Sequence, residues 1–334
     1  MAQRKEISIQ FIAEKCGVSI ATVSRVLNND KRVAPKTRER ILSVMDEYHY
    51  IAPSAPAPSV KKIGVVIDTG MSDYYMALVQ RIHKQLGEDG IQVIVGSLGH
   101  DPKKLPSVLE TMYDSNLSGL ILVTCPYLAA RMYLNQKLPH VWIDCNDPAE
   151  STGEICHVQS DHYYSGMLAA QELFKKGCVH PILISGSLSS HRMRDRIRGL
   201  RDEYRKHGIE VTDSQLVEVP YADEILAESR QKIRYLVSIG YEFDSVFAIS
   251  DWRALGVYLA LTEMGIRVPE DVKLIGFDGV SVASRTILNI TSVQQNIAAI
   301  ARTAADLLLK QLAHETITEK RVIIPTAILS GQTL

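Results

Sequence analysis

The residues best suited to chemistry lie within the first fifty. Ser8, Gln10, Ser19, Thr22, Ser24, Arg25, Asn28, Arg32, Lys36 and Thr37 are polar or basic and Ile20 and Ala21 apolar, the types that meet phosphates and base edges. Arg25 suits a bidentate pair with guanine, and Ile20 or Ala21 suits a thymine methyl. Ser8, Gln10, Lys31, Arg32, Lys36 and Thr37 suit phosphate contacts. Such contacts need a rigid platform, and the flanking sequence supplies one. Ile9 to Lys15 predicts a short helix with Ile9, Ile12 and Ala13 inward, and Gly17 makes the turn. Ser19 then caps a second helix whose buried stripe is Val23, Val26 and Leu27, leaving Ile20, Ala21, Ser24, Arg25 and Asn28 outward. A third helix follows Pro35, with Ile41, Leu42 and Met45 at helical spacing. Two short helices joined by a tight glycine turn place the second in a DNA major groove.

Charge gives an independent argument. Residues 1–62 hold eleven Lys and Arg against six Asp and Glu, a net +5, while the remainder carries −6. The near-neutral total of −1 therefore hides a basic head on an acidic body, as expected where one end meets phosphate. Cys16, Cys125, Cys145, Cys156 and Cys178 are odd in number and scattered, which argues for a reducing cytoplasm and against a disulfide framework or zinc site. No apolar run approaches a membrane span and no signal-peptide pattern is present. No cofactor or metal is called for. The phosphate loop, the nucleophile elbow and the His-Glu-x-x-His motif are missing, so an enzyme is not expected.

Beyond the head, residues 52–61 form a linker with Pro53, Pro56 and Pro58, a spacing that no regular helix tolerates. Short Val/Ile/Leu strands then alternate with amphipathic helices. The first series has strands at Ile63 to Ile67, Ile91 to Val95, Leu120 to Val123 and Val141 to Ile143. The second has strands at Ile182 to Ile184, Leu216 to Val219, Val246 to Ile249 and Leu274 to Phe277. Strand–helix alternation implies two parallel, doubly wound sheets with a shared cleft at their strand ends. A helix at Asn296 to His314 is expected to return to the first lobe, and a strand at Val322 to Ile324 to cross to the second. The domains are thus 1–51, a linker 52–61, and 62–334, with a first lobe of 62–160 plus 294–321 and a second of 161–293 plus 322–334.

The chain resembles the LacI/GalR family of bacterial transcription regulators over nearly its whole length. The head carries Ile12-Ala13, Gly17-Val18-Ser19 and Thr22-Val23-Ser24-Arg25-Val26-Leu27-Asn28. The body carries Asp161 and Gly166, Arg196-x-x-Gly199, Ser250-Asp251, Val268-Pro269 and Ile275-Gly276-Phe277-Asp278 in order. The resemblance implies an all-α helix-turn-helix headpiece and an α/β two-lobe effector domain like that of periplasmic binding proteins. It implies a cytoplasmic homodimer on a near-palindromic double-stranded operator, acting as a repressor. A small effector, often a carbohydrate, would bind between the lobes at Asp251, Arg196, Asp161 and Tyr221, with Tyr74, Tyr75 and Trp252 flanking. The same residues have plainer roles available: Asp161 and Asp251 begin helices and suit N-caps, Arg196 suits an ion pair, and the two tyrosines suit a core.

Several departures stand out. Family members follow the third helix with a hinge helix of Ala-Arg-x-Leu type, whereas this chain reads Tyr50-Ile51-Ala52-Pro53-Ser54 and offers no apolar wedge for the minor groove. Less DNA bending is expected, since such wedges supply the kink. Ala34 replaces a capping serine, a loss of about 1 kcal/mol. No heptad extension follows Pro325, so a dimer is expected rather than a tetramer. The second function considered is a co-regulator of the same fold controlled by a protein partner docking near His83, Lys84, Lys103 and Lys104. A transporter's solute-binding protein shares the body but not the basic head.

Overall fold

A computed structural model describes residues 8–27, 30, 32–48, 50, 60–68, 72–145, 155–188, 190–219, 224–280 and 288–334. The chain divides into two compact units, Met1–Val60 and Lys61–Leu334. Asn28, Tyr221, Lys31 and most of the linker lie outside the described residues.

The first unit holds three helices, α1 (Ile9–Cys16), α2 (Ile20–Leu27) and α3 (Pro35–Glu47). Ser8 caps α1 by accepting from the Phe11 amide at 3.3 Å, and Gly17 ends that helix at φ 60°, a conformation glycine adopts without penalty. The Ser19 hydroxyl caps α2 by accepting from the Thr22 amide at 3.2 Å. Ala34 precedes α3 with no side-chain cap. Ile12, Ala13, Cys16, Val23, Val26, Ile41 and Met45 form the core. Leu42, read as at helical spacing with them, is 50% exposed, because Ile41 and Met45 already occupy the i and i+4 positions of the buried stripe and Leu42 is turned about 100° from Ile41.

The second unit contains two six-stranded sheets. The first consists of β1 (Lys62–Ile67), β2 (Gln92–Ser97), β3 (Gly119–Val123), β4 (His140–Ile143), β5 (Cys156–Ser160) and β11 (Arg321–Ile324), in the order β11-β5-β4-β3-β1-β2 and parallel throughout. The second consists of β6 (Pro181–Ser185), β7 (Leu216–Glu218), β8 (Ser245–Ala248), β9 (Lys273–Asp278), β10 (Ser292–Gln294) and β12 (Ala327–Leu329), ordered β12-β10-β9-β8-β6-β7. Only β12 runs antiparallel. Helices α4 (Asp73–Gly87), α5 (Leu105–Asp114), α6 (Tyr127–Arg131) and α11 (Ile297–Leu312) cover the first sheet. Helices α7 (His162–Lys175), α8 (His191–Lys206), α9 (Ile225–Ser238) and α10 (Asp251–Glu263) cover the second. No described helix is long and apolar enough to cross a membrane.

The strand over 321–324 corrects the expected lobe boundary. It pairs with β5 in the first sheet, Val322 opposite Val158, and the crossing to the second sheet comes after it, at Pro325 and Thr326. Its burial alternates as befits an edge strand, so the three-residue apolar run gave no clue to its sheet. The chain therefore passes between sheets near Asp161, at Gln295 and Asn296, and again at Pro325 and Thr326.

Candidate functional site

In the first unit, Ile20, Ala21 and Arg25 are exposed on α2, with Ser24 half-buried beside them, on the side away from Val23 and Val26. Gln10 and Lys36 are exposed, while Thr22 and Thr37 are half-buried. Ser8 and Ser19 are exposed yet spend one lone pair each on caps, and Ser19 also bonds the Thr22 hydroxyl at 2.9 Å. Arg32 pairs with Asp30 at 2.7 Å, and the guanidinium holds that carboxyl down to about 2. A phosphate contact by Arg32 would have to compete with this pair.

In the second unit, charged groups converge where the strands end. Asp144 follows β4, Asp278 ends β9, and Arg192 and Arg196 stand four residues apart on α8, hence on one face. His162, the first residue of α7, faces Asp144 Oδ1 at 3.0 Å through Nε2. Arg196 donates to His162 Nδ1 at 3.3 Å and to the Ile249 carbonyl at 3.3 Å, and its guanidinium lies 3.5 Å from the Phe277 ring centroid. Burial pushes His162 down to about 4 despite the carboxylate beside it, so the imidazole is neutral. Its tautomer follows: Nε2–H donates to Asp144 and Nδ1 accepts from Arg196. Burial raises Asp144, but the His162 hydrogen bond and the two guanidiniums outweigh it and hold the carboxyl well below the usual range.

A second chain of bonds runs beside the first. Tyr74, on α4, donates to Gln295 Oε1 at 3.3 Å, and Ser160 donates to the same oxygen at 2.6 Å. The Gln295 amide in turn donates to Asp278 at 2.8 Å. First lobe, crossover and second lobe are thus linked through one glutamine. Burial pushes Asp278 up to about 6.

Asp251 is fully buried and does not cap α10; Ser250 does, accepting from the Arg253 amide. The Asp251 carboxyl accepts from the Ser292 hydroxyl at 2.7 Å and the Val280 amide at 2.9 Å. Burial and the neighbouring Asp278 push it up to about 8. Asp161 is the N-cap of α7, accepting from the Tyr164 amide at 2.8 Å. Tyr75 is buried in the core edge-to-face with Tyr74, and Trp252 is 38% exposed.

The structure therefore brings Arg196, Asp251 and Tyr74 around Asp278, and gives Asp161 and Tyr75 structural surroundings. Sequence reasoning passed over Asp68, Asp144, His162, Arg192, Asp278 and Gln295. A signal was present, because Asp68, Asp144 and Asp278 each follow directly on an apolar strand run, at the strand ends where such sheets bind ligands. Thr124, Asp144 and Asp278 also have positive φ (57°, 51° and 101°). Left-handed backbone at a β-branched or acidic residue is a strain that collects at functional sites. A cavity of about 830 Å³ lies beside the crossovers, lined among others by Asp73, Arg81, Gln294 and Thr326. Of the polar network only Gln295 borders it.

The profile of bacterial regulatory proteins of the lacI family matches residues 8–53, and the periplasmic binding protein-like domain matches residues 170–334. The chain belongs to the LacI family of bacterial regulatory proteins. It is 28% identical over 320 residues to the ribose operon repressor of Escherichia coli K12, covering 94% of this chain and 96% of that one. It is 26% identical over 314 residues to the transcriptional repressor PurR of Klebsiella pneumoniae, covering 92% and 91%. Its fold matches the lac repressor dimer bound to operator and the anti-inducer ONPF with a TM-score of 0.75 at 23% identity, covering 98% and 99%. The helix-turn-helix head and the two parallel-dominated sheets are the architecture of this family.

Proposed function

We propose that this LacI-family protein is a homodimeric repressor that reads a near-palindromic operator with α2 and is controlled by a small metabolite bound between its lobes. The relatives named as operon and transcriptional repressors support the DNA-binding role. The observation that carries the control is the buried polar network. Asp144 on the first sheet meets His162 and Arg192 from α7 and α8, which cover the second. Charges buried at the junction of two lobes are costly unless the junction has work to do. In the head, Arg25 reads guanine, Ile20 and Ala21 meet thymine, and Gln10, Lys36 and Thr37 hold phosphate. In the body, Arg196, Asp251 and Tyr74 shape the ligand site around Asp278.

The test is fluorescence anisotropy of the full-length protein on its own upstream DNA, with and without small metabolites. A metabolite-dependent shift in operator affinity is expected. Tight, specific DNA binding that no metabolite alters would refute control by the cleft, and sequence-independent binding would refute the operator reading.

A further inference from the structure

Three segments pass between the sheets, and one side chain ties two of them to both lobes. Ser160 ends β5 at the first crossing, Gln295 lies in the second between β10 and α11, and Thr326 lies in the third before β12. Gln295 is 4% exposed, and its amide is divided between the lobes. Oε1 accepts from the Ser160 hydroxyl at 2.6 Å and from the Tyr74 hydroxyl at 3.3 Å, both on the first lobe. Nε2 donates to Asp278 Oδ1 at 2.8 Å, at the end of β9 in the second lobe. The Gln295 backbone amide donates to the Asp278 carbonyl as well, at 3.2 Å.

This arrangement resists rotation of the lobes. An amide oxygen has two lone pairs, and here both are taken. The group cannot turn over, because its oxygen would then face the Asp278 carboxylate, acceptor against acceptor. It is planar and does not stretch. When one lobe turns against the other, Gln295 can follow only one of them and must release the bonds on its other side. Burial makes that release costly, since a buried donor or acceptor left without a partner loses more than the net worth of its bond. The bridge from Asp144 to His162 lies among the charges at the strand ends, where any ligand would alter it. Gln295 lies in the crossing itself and opposes rotation whatever drives it.

Ser165 supplies a contrast. Its hydroxyl bonds Thr326 Oγ1 at 3.0 Å and the Asp161 carbonyl at 2.5 Å. Ser165 is on α7 and Thr326 directly precedes β12, so this buried cluster moves with the second lobe and carries no bond across to the first.

We propose that Gln295 is a positioning residue for repression, holding the lobes in the arrangement seen here and so setting the operator affinity of the metabolite-free protein. This rests on the reading of the two lobes as the control unit and names the residue that restrains them.

The experiment measures operator affinity of the full-length protein by anisotropy without metabolite, with the Tm of each variant from calorimetry. Gln295→Met keeps length and apolar bulk and removes every side-chain bond. Ser160→Ala removes the short first-lobe bond. Gln295→Glu keeps an acceptor for both hydroxyls and sets a second carboxylate against Asp278. All three break one connection, so all should shift operator affinity in the same direction, Gln295→Met by about tenfold. Adding Ser160→Ala to Gln295→Met should give no further shift, because the two remove the same bond. Ser165→Ala should lower Tm and leave operator affinity unmoved. Wild-type affinity in Gln295→Met, shifts of opposite sign among the three, or an equal shift in Ser165→Ala overturns the proposal. Where Gln295→Glu does not fold, Gln295→Met and Ser160→Ala decide. If a metabolite shifts wild-type operator affinity while Gln295→Met behaves as wild type, the restraint falls and control by the cleft stands. If the variants shift affinity and no metabolite does, the restraint stands and control by the cleft falls.

Discussion

Asp251 offers the sharpest separation between a charged ligand contact and a buried, proton-holding strut. Its carboxyl is fully buried, accepts from Ser292 and Val280, and is pushed up to about 8 by burial and by Asp278. In the unfolded chain it titrates near the ordinary aspartate value of 3.8. Between these values the folded state keeps a proton that the unfolded state has lost, so stability falls as pH rises. The limit is about 1.4 kcal/mol per pH unit. His157 and His162, both pushed down to about 4, act in the opposite sense below the ordinary histidine range, so the useful window is pH 6.5 to 8. Across it, wild type should lose up to about 2 kcal/mol through Asp251, or roughly 5 °C in Tm for a unit of this size. Asp251→Asn keeps an acceptor for Val280 and offers its amide to the Ser292 hydroxyl, so it should lack this slope. Asp251→Ala strands both donors and should cost about 2–5 kcal/mol at pH 6.5, a cost that shrinks toward pH 8 as wild type loses stability. Thermal unfolding followed by tryptophan fluorescence suits the measurement, because the two tryptophans, Trp142 and Trp252, both lie in the second unit. An Asn variant as unstable as Ala, or one that keeps the wild-type slope, would refute the reasoning.

Two further outcomes are expected. Arg25→Ala should remove discrimination between operator and random DNA while leaving effector affinity intact, since one bidentate contact is worth about 1–3 kcal/mol per half-site; retained specificity in an anisotropy competition would show that another helix reads the bases. Gly166→Ala should lower the Tm of the second unit by about 5 °C despite alanine's better helix propensity. A methyl there would collide with the Arg196 carbonyl where α7 crosses α8, and overpacking typically costs about 1–3 kcal/mol. Unchanged Tm in differential scanning calorimetry would mean that the two helices are free to separate.

Most strands announced themselves as Val/Ile/Leu runs, since a strand buried on both faces has no polar alternation to hide it. Strand β5 escaped because Cys156-His157-Val158-Gln159-Ser160 spends its polar residues on buried bonds. His157 Nε2 takes the Cys145 amide at 3.1 Å, and Ser160 donates to Gln295. The sheet membership of Val322 to Ile324 was not legible, because a three-residue apolar run fits either sheet and pairing partners are fixed only in three dimensions. For the site, family motifs drew attention to Arg196 and Asp251. They left Arg192 unnoticed one helical turn earlier, and it could have been found by spacing alone. The choice between cap and contact for Asp161 and Asp251 was likewise invisible in sequence. It depends on which side chain offers its oxygen to the first-turn amide: Ser250 does so for α10 and frees Asp251, whereas the Ser160 hydroxyl is bonded to Gln295 and Asp161 itself caps α7.

The energetics of the lobe junction suit a switch. The larger apolar clusters belong mainly to one lobe each, with Val280 and Leu255 among the few side chains shared across the junction. Beside these, the bridges are polar: Asp144 to His162, and Tyr74 and Ser160 through Gln295 to Asp278. Hydrogen bonds exchanged against water are worth only about 1 kcal/mol each, and somewhat more where a charge takes part. A handful of them holds two lobes by a few kcal/mol, whereas an apolar interface of the same extent would lock them. A ligand that makes two or three hydrogen bonds at this junction commands a comparable energy. Differential binding of that size moves a two-state equilibrium from one lobe arrangement to the other. The modest polar bridge, with the Asp144 carboxylate between His162 and Arg192 at its centre, is therefore what any ligand must outweigh to rearrange the lobes.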